Sequence, residues 1–127
     1  MTIAQRKYLR TPKGRAYNLR RGAKTRARKY NIDFALTHNF IYQKMLKGKC
    51  EVTGIPFILI NEETYGKHNT ITPYAPTLDR IDPKKGYVRE NVQMVIGMYN
   101  TAKHNWHHED VMVLANALCN TKGGTNH

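Results

Sequence analysis

The sequence predicts a small α+β protein, and three observations support this fold class. Residues 77–81 (TLDRI) and 92–95 (VQMV) have the short apolar patterns of β-strands, and the loop between them is punctuated by Pro83 and Gly86. Helical periodicity follows the second strand, and further helical segments flank the whole unit. The 127 residues suffice for one modest core and not for two independent ones, so we expect a single domain.

The N-terminal part, residues 1–48, is predicted to be basic and helical. In the helix over 11–30, Thr11 is a candidate N-cap and Pro12 occupies the first helical position. A second helix within 36–48 is capped by Thr37 and ends at Gly48. The first helix carries a narrow stripe at helical spacing, formed by Ala16, Leu19, Ala23, Ala27 and Tyr30.

The central part, residues 49–107, is predicted to be the core that carries the chemistry. It begins with a turn at 50–54 and an apolar strand at 55–60, and a polar loop follows. The strand–loop–strand unit then leads into a helix over 96–106. The last part, residues 108–127, is predicted to be a helix over 108–119 and a tail, and the helix has apolar residues at Val111, Val113, Leu114, Ala117 and Leu118.

The net charge of +12 is concentrated at one end of the chain. Residues 1–30 contain eleven lysines and arginines and no acid, whereas the remainder is nearly neutral. Such a block indicates a polyanionic partner, and the interleaved tyrosines make nucleic acid the leading one. The alternative is a solvated basic helix that only keeps the protein soluble. The candidates for nucleic-acid contacts in this helix are Arg15, Arg20, Arg21, Lys24, Arg26 and Arg28.

Other features of the sequence exclude whole classes of protein. The longest apolar runs are far shorter than a membrane span, so no membrane partner is expected. The start, MTIAQRKYLR, lacks the apolar segment of a signal peptide, which predicts a cytoplasmic location. Cys50 and Cys119 are too few for a disulfide framework or a four-cysteine zinc site, so no structural zinc is expected.

Five polar residues of the central unit are not needed to form its strands or helix: Asp79, Arg80, Asn91, Asn100 and His104. Asn100 and His104 are four residues apart and would share one helical face. If the helix folds over the first strand, Asp79 lies opposite that face. A carboxylate, an amide oxygen and a candidate imidazole would then form an open, oxygen-rich pocket, which suits a single Mg²⁺ or Mn²⁺ ion.

The segment LDRID…GYVRENVQMVIGMYNTAK resembles the HNH nucleases, whose fold is the ββα-metal (His-Me) finger. The first motif of that family, usually Asp-His or His-His, falls on Asp79 and Arg80. The Asn that opens the second strand falls on Asn91, and the His or Asn nine residues later falls on Asn100. The segment CEVTGIPF also precedes the motif in many small phage and bacterial members. The resemblance covers residues 45–106 and implies a ββα-metal core with a basic N-terminal helix and additional flanking helices.

Two positions depart from the family pattern. Many members hold this unit together with two cysteine pairs on zinc, of which only Cys50 remains here. The family's general base is the histidine of the first motif, and Arg80 in its place stays protonated and cannot accept a proton. Arginine can instead grip a phosphate through two hydrogen bonds. The base is then another group, with His68, Tyr74 and His104 as candidates, or a metal-bound water.

The resemblance implies a metal-dependent endonuclease that hydrolyses phosphodiesters of double-stranded DNA in a bacterial cell, with a phage gene as one origin. The metal would be held by Asp79, Asn100 and His104, and Arg80 would clamp the phosphate. Asn91 would hold the loop so that strand and helix keep their register. Flanking phosphates would be bound by Lys84, Lys85 and Lys103.

Two competing interpretations remain open from the sequence. One is a non-catalytic DNA- or RNA-binding protein on a degenerate HNH scaffold, which metal-dependent cleavage would exclude. The other is a ribosomal-type RNA-binding protein with an accidental likeness, which would prefer RNA. Taken alone, Asp79 and Arg80 would be a surface ion pair of little energetic value. A double-strand cut by so small a site would favour a homodimer, although the sequence reveals no interface.

Overall fold

A computed structural model describes residues 2–59 and 73–121 of the chain. Within these residues the protein is α+β, as predicted, with five α-helices and one antiparallel sheet of two strands. No helix in this part of the chain is long and apolar enough to cross a membrane. In chain order the elements are α1 (Ile3–Arg10), α2 (Pro12–Tyr30), α3 (His38–Leu46), β1 (Pro76–Arg80), a 3₁₀ turn (Arg89–Asn91), β2 (Val92–Ile96), α4 (Gly97–Lys103) and α5 (His108–Cys119).

Helix α1 is a helix that the sequence pattern does not predict, because it is short and mostly polar. It forms a capping box in which the Gln5 amide donates to Thr2 Oγ1 at 3.0 Å and the Thr2 amide donates to Gln5 Oε1 at 2.8 Å. The chain then turns at Thr11, whose hydroxyl accepts from the Gly14 amide at 3.0 Å. A Cβ at Gly14 would lie 1.8 Å from the Tyr8 carbonyl oxygen, so the close α1–α2 corner requires glycine.

The long basic helix α2 has the predicted bounds. Thr11 caps its N-terminus, Pro12 opens it, and Asn31 ends it in the left-handed conformation at φ 53°. Of the predicted stripe, the three alanines are buried, Leu19 is partly buried and Tyr30 is 61% exposed. The contact with α3 and the core is made by Ala16, Ala23, Ala27, Ile41 and Met45.

The predicted strand at 55–60 does not form within 55–59, and residue 60 lies outside the described residues. Helix α3 begins after its N-cap Thr37, and Gly48 follows it with φ 77°. The chain then folds back on itself through an isolated bridge between Lys49 and Pro56, and the Phe57 amide donates to the Gly48 carbonyl at 2.9 Å. The Ile58 amide also donates to the Tyr74 carbonyl at 2.9 Å. The segment packs on the core through Phe57 and Leu59 without forming a strand within 55–59.

The predicted order of strand, loop, strand and helix is present. Strands β1 and β2 pair antiparallel with Leu78 opposite Met94, and both side chains pack into the core beneath α2 and α3. On the other face of the hairpin, Val95 packs with Tyr99 of α4 and with Cys50. The hairpin therefore lies between the N-terminal helices and α4.

Helices α4 and α5 differ from the predictions in extent and in burial. Helix α4 ends at Lys103 and does not reach residue 106, because His104 has φ 47°. Trp106, at the end of the stretch predicted to be helical, is 59% exposed. Helix α5 has the predicted bounds and contacts the core through Val111, whereas three of its apolar side chains are more than half exposed: Val113, Leu114 and Leu118.

The segment that follows α2 ties the N-terminal part to the loop between the strands. The Tyr87 amide donates to the Asp33 carbonyl at 2.8 Å, and the Ala35 amide donates to the Tyr87 carbonyl at 2.9 Å. A Cβ at Gly86 would lie 2.5 Å from the Asp33 carbonyl oxygen, so this approach also requires glycine. The contact brings one side of α2 next to the end of β1.

Candidate active site

Asp79 is a buried carboxylate near the end of β1, with 4% of its side chain exposed. Its Oδ1 is 3.0 Å from Lys103 Nζ, and its Oδ2 accepts from Gln93 Nε2 at 2.9 Å. The strand register explains the second contact, because Gln93 lies directly opposite Asp79. Asp79 is thus held in one orientation with its charge compensated.

Lys103 does not occupy the position expected for a flanking phosphate contact. Its side chain is 1% exposed, and Nζ donates to the Arg80 carbonyl at 2.7 Å in addition to its ion pair with Asp79. A lysine is seldom buried so completely unless it is paired and hydrogen-bonded. Lys103 therefore fastens the end of α4 to the end of β1 and is enclosed by protein.

Arg80 braces the loop that follows β1. Its NH1 donates to the Pro83 carbonyl at 2.9 Å and to the Lys85 carbonyl at 3.1 Å. Its Cζ lies 5.3 Å from the centroid of the Tyr87 ring, within the range of a cation–π contact. These contacts fix the guanidinium through one nitrogen and one face, and Nε and NH2 have no acceptor among the described residues.

Asn91 closes the same loop from its other end. Its Oδ1 accepts from the Asp82 amide at 2.9 Å, and its Nδ2 donates to the carbonyls of Asp82 at 3.1 Å and Gly86 at 2.9 Å. The side chain is 5% exposed, so these bonds satisfy a buried amide. This geometry is that of a residue that shapes the loop and does not itself line the cavity.

Asn100 and His104 approach Asp79 from α4. Asn100 Nδ2 donates to Thr77 Oγ1 at 3.0 Å and to the Leu78 carbonyl at 3.2 Å, which orients the amide against β1. His104 is exposed just after the end of the helix. Its positive φ of 47° means that Asn100 and His104 do not lie on successive turns of one regular helix. They nevertheless flank the same space.

A cavity of about 840 Å³ unites most of the predicted site. Asp79, Arg80, Asn100 and His104 all line it, whereas Asn91 does not. Cationic side chains from two further places reach it, Arg26 from α2 and Lys84 from the loop. The rest of the lining comes from β1, the loop, α2 and the segments after α2 and α4: Thr77, Leu78, Pro83, Tyr87, Leu19, Tyr30, Ile32, Asn105 and His107.

The donor set around this cavity fits a small divalent cation in part. A carboxylate, an amide oxygen and an imidazole are suitable ligands for Mg²⁺ or Mn²⁺, which retain several waters. Each carboxylate oxygen also has a second lone pair beyond its present hydrogen bond. Lys103 reduces the negative charge that Asp79 can offer, so a cation there would be bound weakly without substrate. Within residues 2–59 and 73–121, no three His, Cys, Asp or Glu side chains cluster as a metal site.

The basic residues of α2 divide into anchors and exposed cations. Arg15 NH2 lies 3.4 Å from the Pro76 carbonyl, and burial lowers the pKa of its guanidinium. Arg20 Nε donates to the Leu36 carbonyl at 2.7 Å, and its guanidinium lies 5.3 Å from the Phe34 ring centroid. These two arginines therefore fix α2 to the body. Of the predicted nucleic-acid contacts, those that are exposed are Arg21, Lys24, Arg26 and Arg28 on α2 and Lys84 and Lys85 on the loop.

Of the three titratable side chains proposed as a base, His104 is the one placed at the cavity. Tyr74 is 38% exposed and does not line it, and His68 lies outside the described residues. A further tyrosine, Tyr99, hydrogen-bonds His108 Nδ1 at 2.9 Å. Burial, and then the charge of Asp79, raises the pKa of Tyr99, which keeps its hydroxyl protonated.

Sequence reasoning missed two residues of this site, Gln93 and Tyr87. Gln93 could have been found from strand pairing, because a loop pinned between Ile81 and Asn91 sets the register that places it opposite Asp79. Tyr87 carries no local signal, since its partners come from β1 and from α2, 61 residues away.

Comparison with known proteins adds no assignment, because no protein family, curated protein or solved structure matches the chain.

Proposed function

We propose that the protein is a divalent-metal-dependent endonuclease of the HNH type that hydrolyses phosphodiester bonds in double-stranded DNA. The observation that carries the proposal is the convergence of Asp79, Arg80, Asn100 and His104 on one cavity. These residues belong to the first strand and the helix of a strand–strand–helix unit, which supports the proposal, as does the resemblance of residues 45–106 to that family. The exposed cations of α2 beside the cavity supply an electrostatic surface for the DNA backbone.

Each residue of the site has a physical task in this proposal. Asp79, Asn100 and His104 would hold the Mg²⁺ or Mn²⁺ ion, which when bound supplies charge stabilisation at the scissile phosphate. Arg80 binds a phosphate oxygen through Nε and NH2, which have no acceptor among the described residues. Because NH1 is already held by two carbonyls, the guanidinium loses little freedom on binding substrate.

Two residues act indirectly by holding the others in place. Lys103 fixes the carboxylate of Asp79 and the peptide after it. Asn91 fixes the loop whose carbonyls orient Arg80, because both groups bond within residues 82–86. His104 has two alternative tasks in this proposal, as the third ligand of the ion or as a proton carrier, and a second histidine, His107, lines the same cavity.

A second candidate function is supported by a specific feature of the same site. Arg80 stands where a base is expected, and the Asp79 carboxylate is already neutralised by Lys103. Both features suit a protein that binds nucleic acid on this scaffold without cutting it. The two candidates share the DNA surface and differ in whether a divalent ion permits hydrolysis.

The test is incubation of the protein with supercoiled plasmid, phage DNA and genomic DNA in Mg²⁺, in Mn²⁺ and in EDTA. The nuclease proposal predicts nicked or linear products in at least one metal and none in EDTA. Intact DNA on all three substrates, from a folded protein that binds them, would leave the non-catalytic candidate.

A further inference from the structure

Two guanidinium groups from distant parts of the chain share one aromatic ring at the cavity. The Tyr87 side chain is buried, with a relative exposure of 5%. Arg80 Cζ lies 5.3 Å from its ring centroid and Arg26 Cζ lies 5.6 Å from it. Both distances are within cation–π range, so the ring can stabilise two positive charges that would otherwise repel each other.

Arg26 is oriented by contacts that leave its outer nitrogens accessible. Its Nε donates to the Tyr87 hydroxyl at 2.9 Å, and the described residues offer no acceptor to NH1 or NH2. Gly22, one turn earlier on α2, leaves room for this guanidinium, because a Cβ there would approach NH1 to 3.3 Å. Arg26 thus presents two nitrogens to the cavity, as Arg80 presents Nε and NH2.

The charge around the two arginines is not balanced within the described lining of the cavity. The one carboxylate there is Asp79, and it is already paired with Lys103 at 3.0 Å. Lys84 adds a further positive charge. A fixed cationic wall without acidic partners favours a ligand with more than one negative charge.

We propose that Arg26 and Arg80, held on Tyr87, form a two-guanidinium clamp for neighbouring phosphates of one DNA strand. Arg26 of α2 then positions the substrate, and its role is more specific than a general electrostatic attraction to DNA. This inference rests on the proposed function. It implies that one DNA strand passes between α2 and the loop after β1. Bidentate guanidinium–phosphate pairs provide both affinity and orientation.

The test measures binding of thymidine 3′,5′-diphosphate, a small ligand with two phosphates, by calorimetry in EDTA. Arg26→Ala is expected to weaken binding at least about tenfold, because charge-assisted hydrogen bonds are lost. Lys29→Ala is the matched control, since it removes one exposed positive charge from the same helix without lining the cavity. It is expected to change the affinity by less than about twofold.

Tyr87→Phe separates the clamp from a general structural role of Arg26. The substitution keeps the ring and removes the acceptor that orients Arg26, so we expect about a threefold loss in wild-type background. In the Arg26→Ala background the same substitution is expected to cause no further loss. Equal affinities of Arg26→Ala and Lys29→Ala, or no binding of the ligand to the wild-type protein, would overturn the clamp.

The outcome for the clamp is distinguishable from the outcome for the nuclease. Ligand binding in EDTA requires no hydrolysis, so a clamp without cleavage would contradict the nuclease alone. Metal-dependent cleavage by a protein whose Arg26→Ala variant binds the ligand normally would contradict the clamp alone.

Discussion

Replacing Lys103 with methionine should strongly destabilise the protein, because it leaves Asp79 charged and buried without a partner. Methionine keeps most of the aliphatic volume of lysine, so the change tests charge more than packing. The pair is 1% and 4% exposed with an N–O distance of 3.0 Å, which classes it as a fully buried ion pair. Removing one partner of such a pair costs about 3–5 kcal/mol.

The second contact of Lys103 adds to this loss. Its bond to the Arg80 carbonyl at 2.7 Å contributes about 1 kcal/mol of net stability. The total is a large part of the roughly 5–15 kcal/mol that stabilises a domain, and we expect the melting temperature to fall by about 10 °C or more.

Urea unfolding followed by circular dichroism measures the effect, with Lys85→Met as the control for the same substitution at an exposed site. The control should change the free energy of unfolding by less than about 0.5 kcal/mol. Adding Asp79→Asn to Lys103→Met should recover at least about 2 kcal/mol, because the uncompensated charge is removed. A loss below about 1 kcal/mol for Lys103→Met, or no recovery in the double variant, would refute the buried-pair reasoning.

Three further predictions concern the loop and the helix around the site. Asn91→Ala should lower the free energy of unfolding by about 2–3 kcal/mol, because the three hydrogen bonds of this buried side chain to the loop are lost. Urea unfolding measures the change, and a loss under about 1 kcal/mol would contradict the prediction. Gly86→Ala should be more destabilising than Gly54→Ala in the same assay. The Gly86 Cβ would meet the Asp33 carbonyl oxygen at 2.5 Å, whereas at Gly54 the cost is limited to the backbone strain of its φ of 76°. The pKa of Tyr99 is raised from 10.0 in the folded state, so its contribution to stability is complete below pH 10 and is lost as the pH rises further. Unfolding free energies across this alkaline range should therefore fall more steeply for the wild type than for Tyr99→Phe, and equal slopes would count against the shift.

Local sequence signals were sufficient for the elements whose ends are chemically marked. Thr11 and Pro12 define the start of α2, and Thr37 defines the start of α3, because capping side chains satisfy free backbone amides. Pro83 and Gly86 mark the loop between the strands. The prediction of a strand at 55–60 was wrong within the described residues 55–59. An apolar run becomes a strand where a partner strand is available, and propensity alone does not reveal that partner.

The sequence predicted which residues belong to the candidate site better than it predicted the contacts that these residues make. The sequence placed Asn100 and His104 on one face of a continuous helix. His104 in fact follows the end of α4, and both residues line the cavity with Asp79. The burial of Lys103 could not be deduced, because a lysine near a helix end is exposed unless a tertiary partner encloses it. The contact of Arg26 with Tyr87 was equally inaccessible, since it depends on how α2 crosses the loop.

Comparing wild type with Asp79→Asn in paired assays of DNA cleavage and DNA affinity tests whether the site around Asp79 hydrolyses DNA with a divalent metal ion. Asparagine removes the charge and keeps one acceptor oxygen for Lys103, and Gln93 can turn its amide so that Oε1 accepts from the new NH2 group. The fold should therefore be kept better than with alanine. We expect metal-dependent cleavage by the wild type and a cleavage rate at least about 100-fold lower in the variant. The DNA affinity of the variant should stay within about threefold of the wild-type value. Undiminished cleavage by Asp79→Asn, or wild-type cleavage that persists in EDTA, would contradict the proposed site.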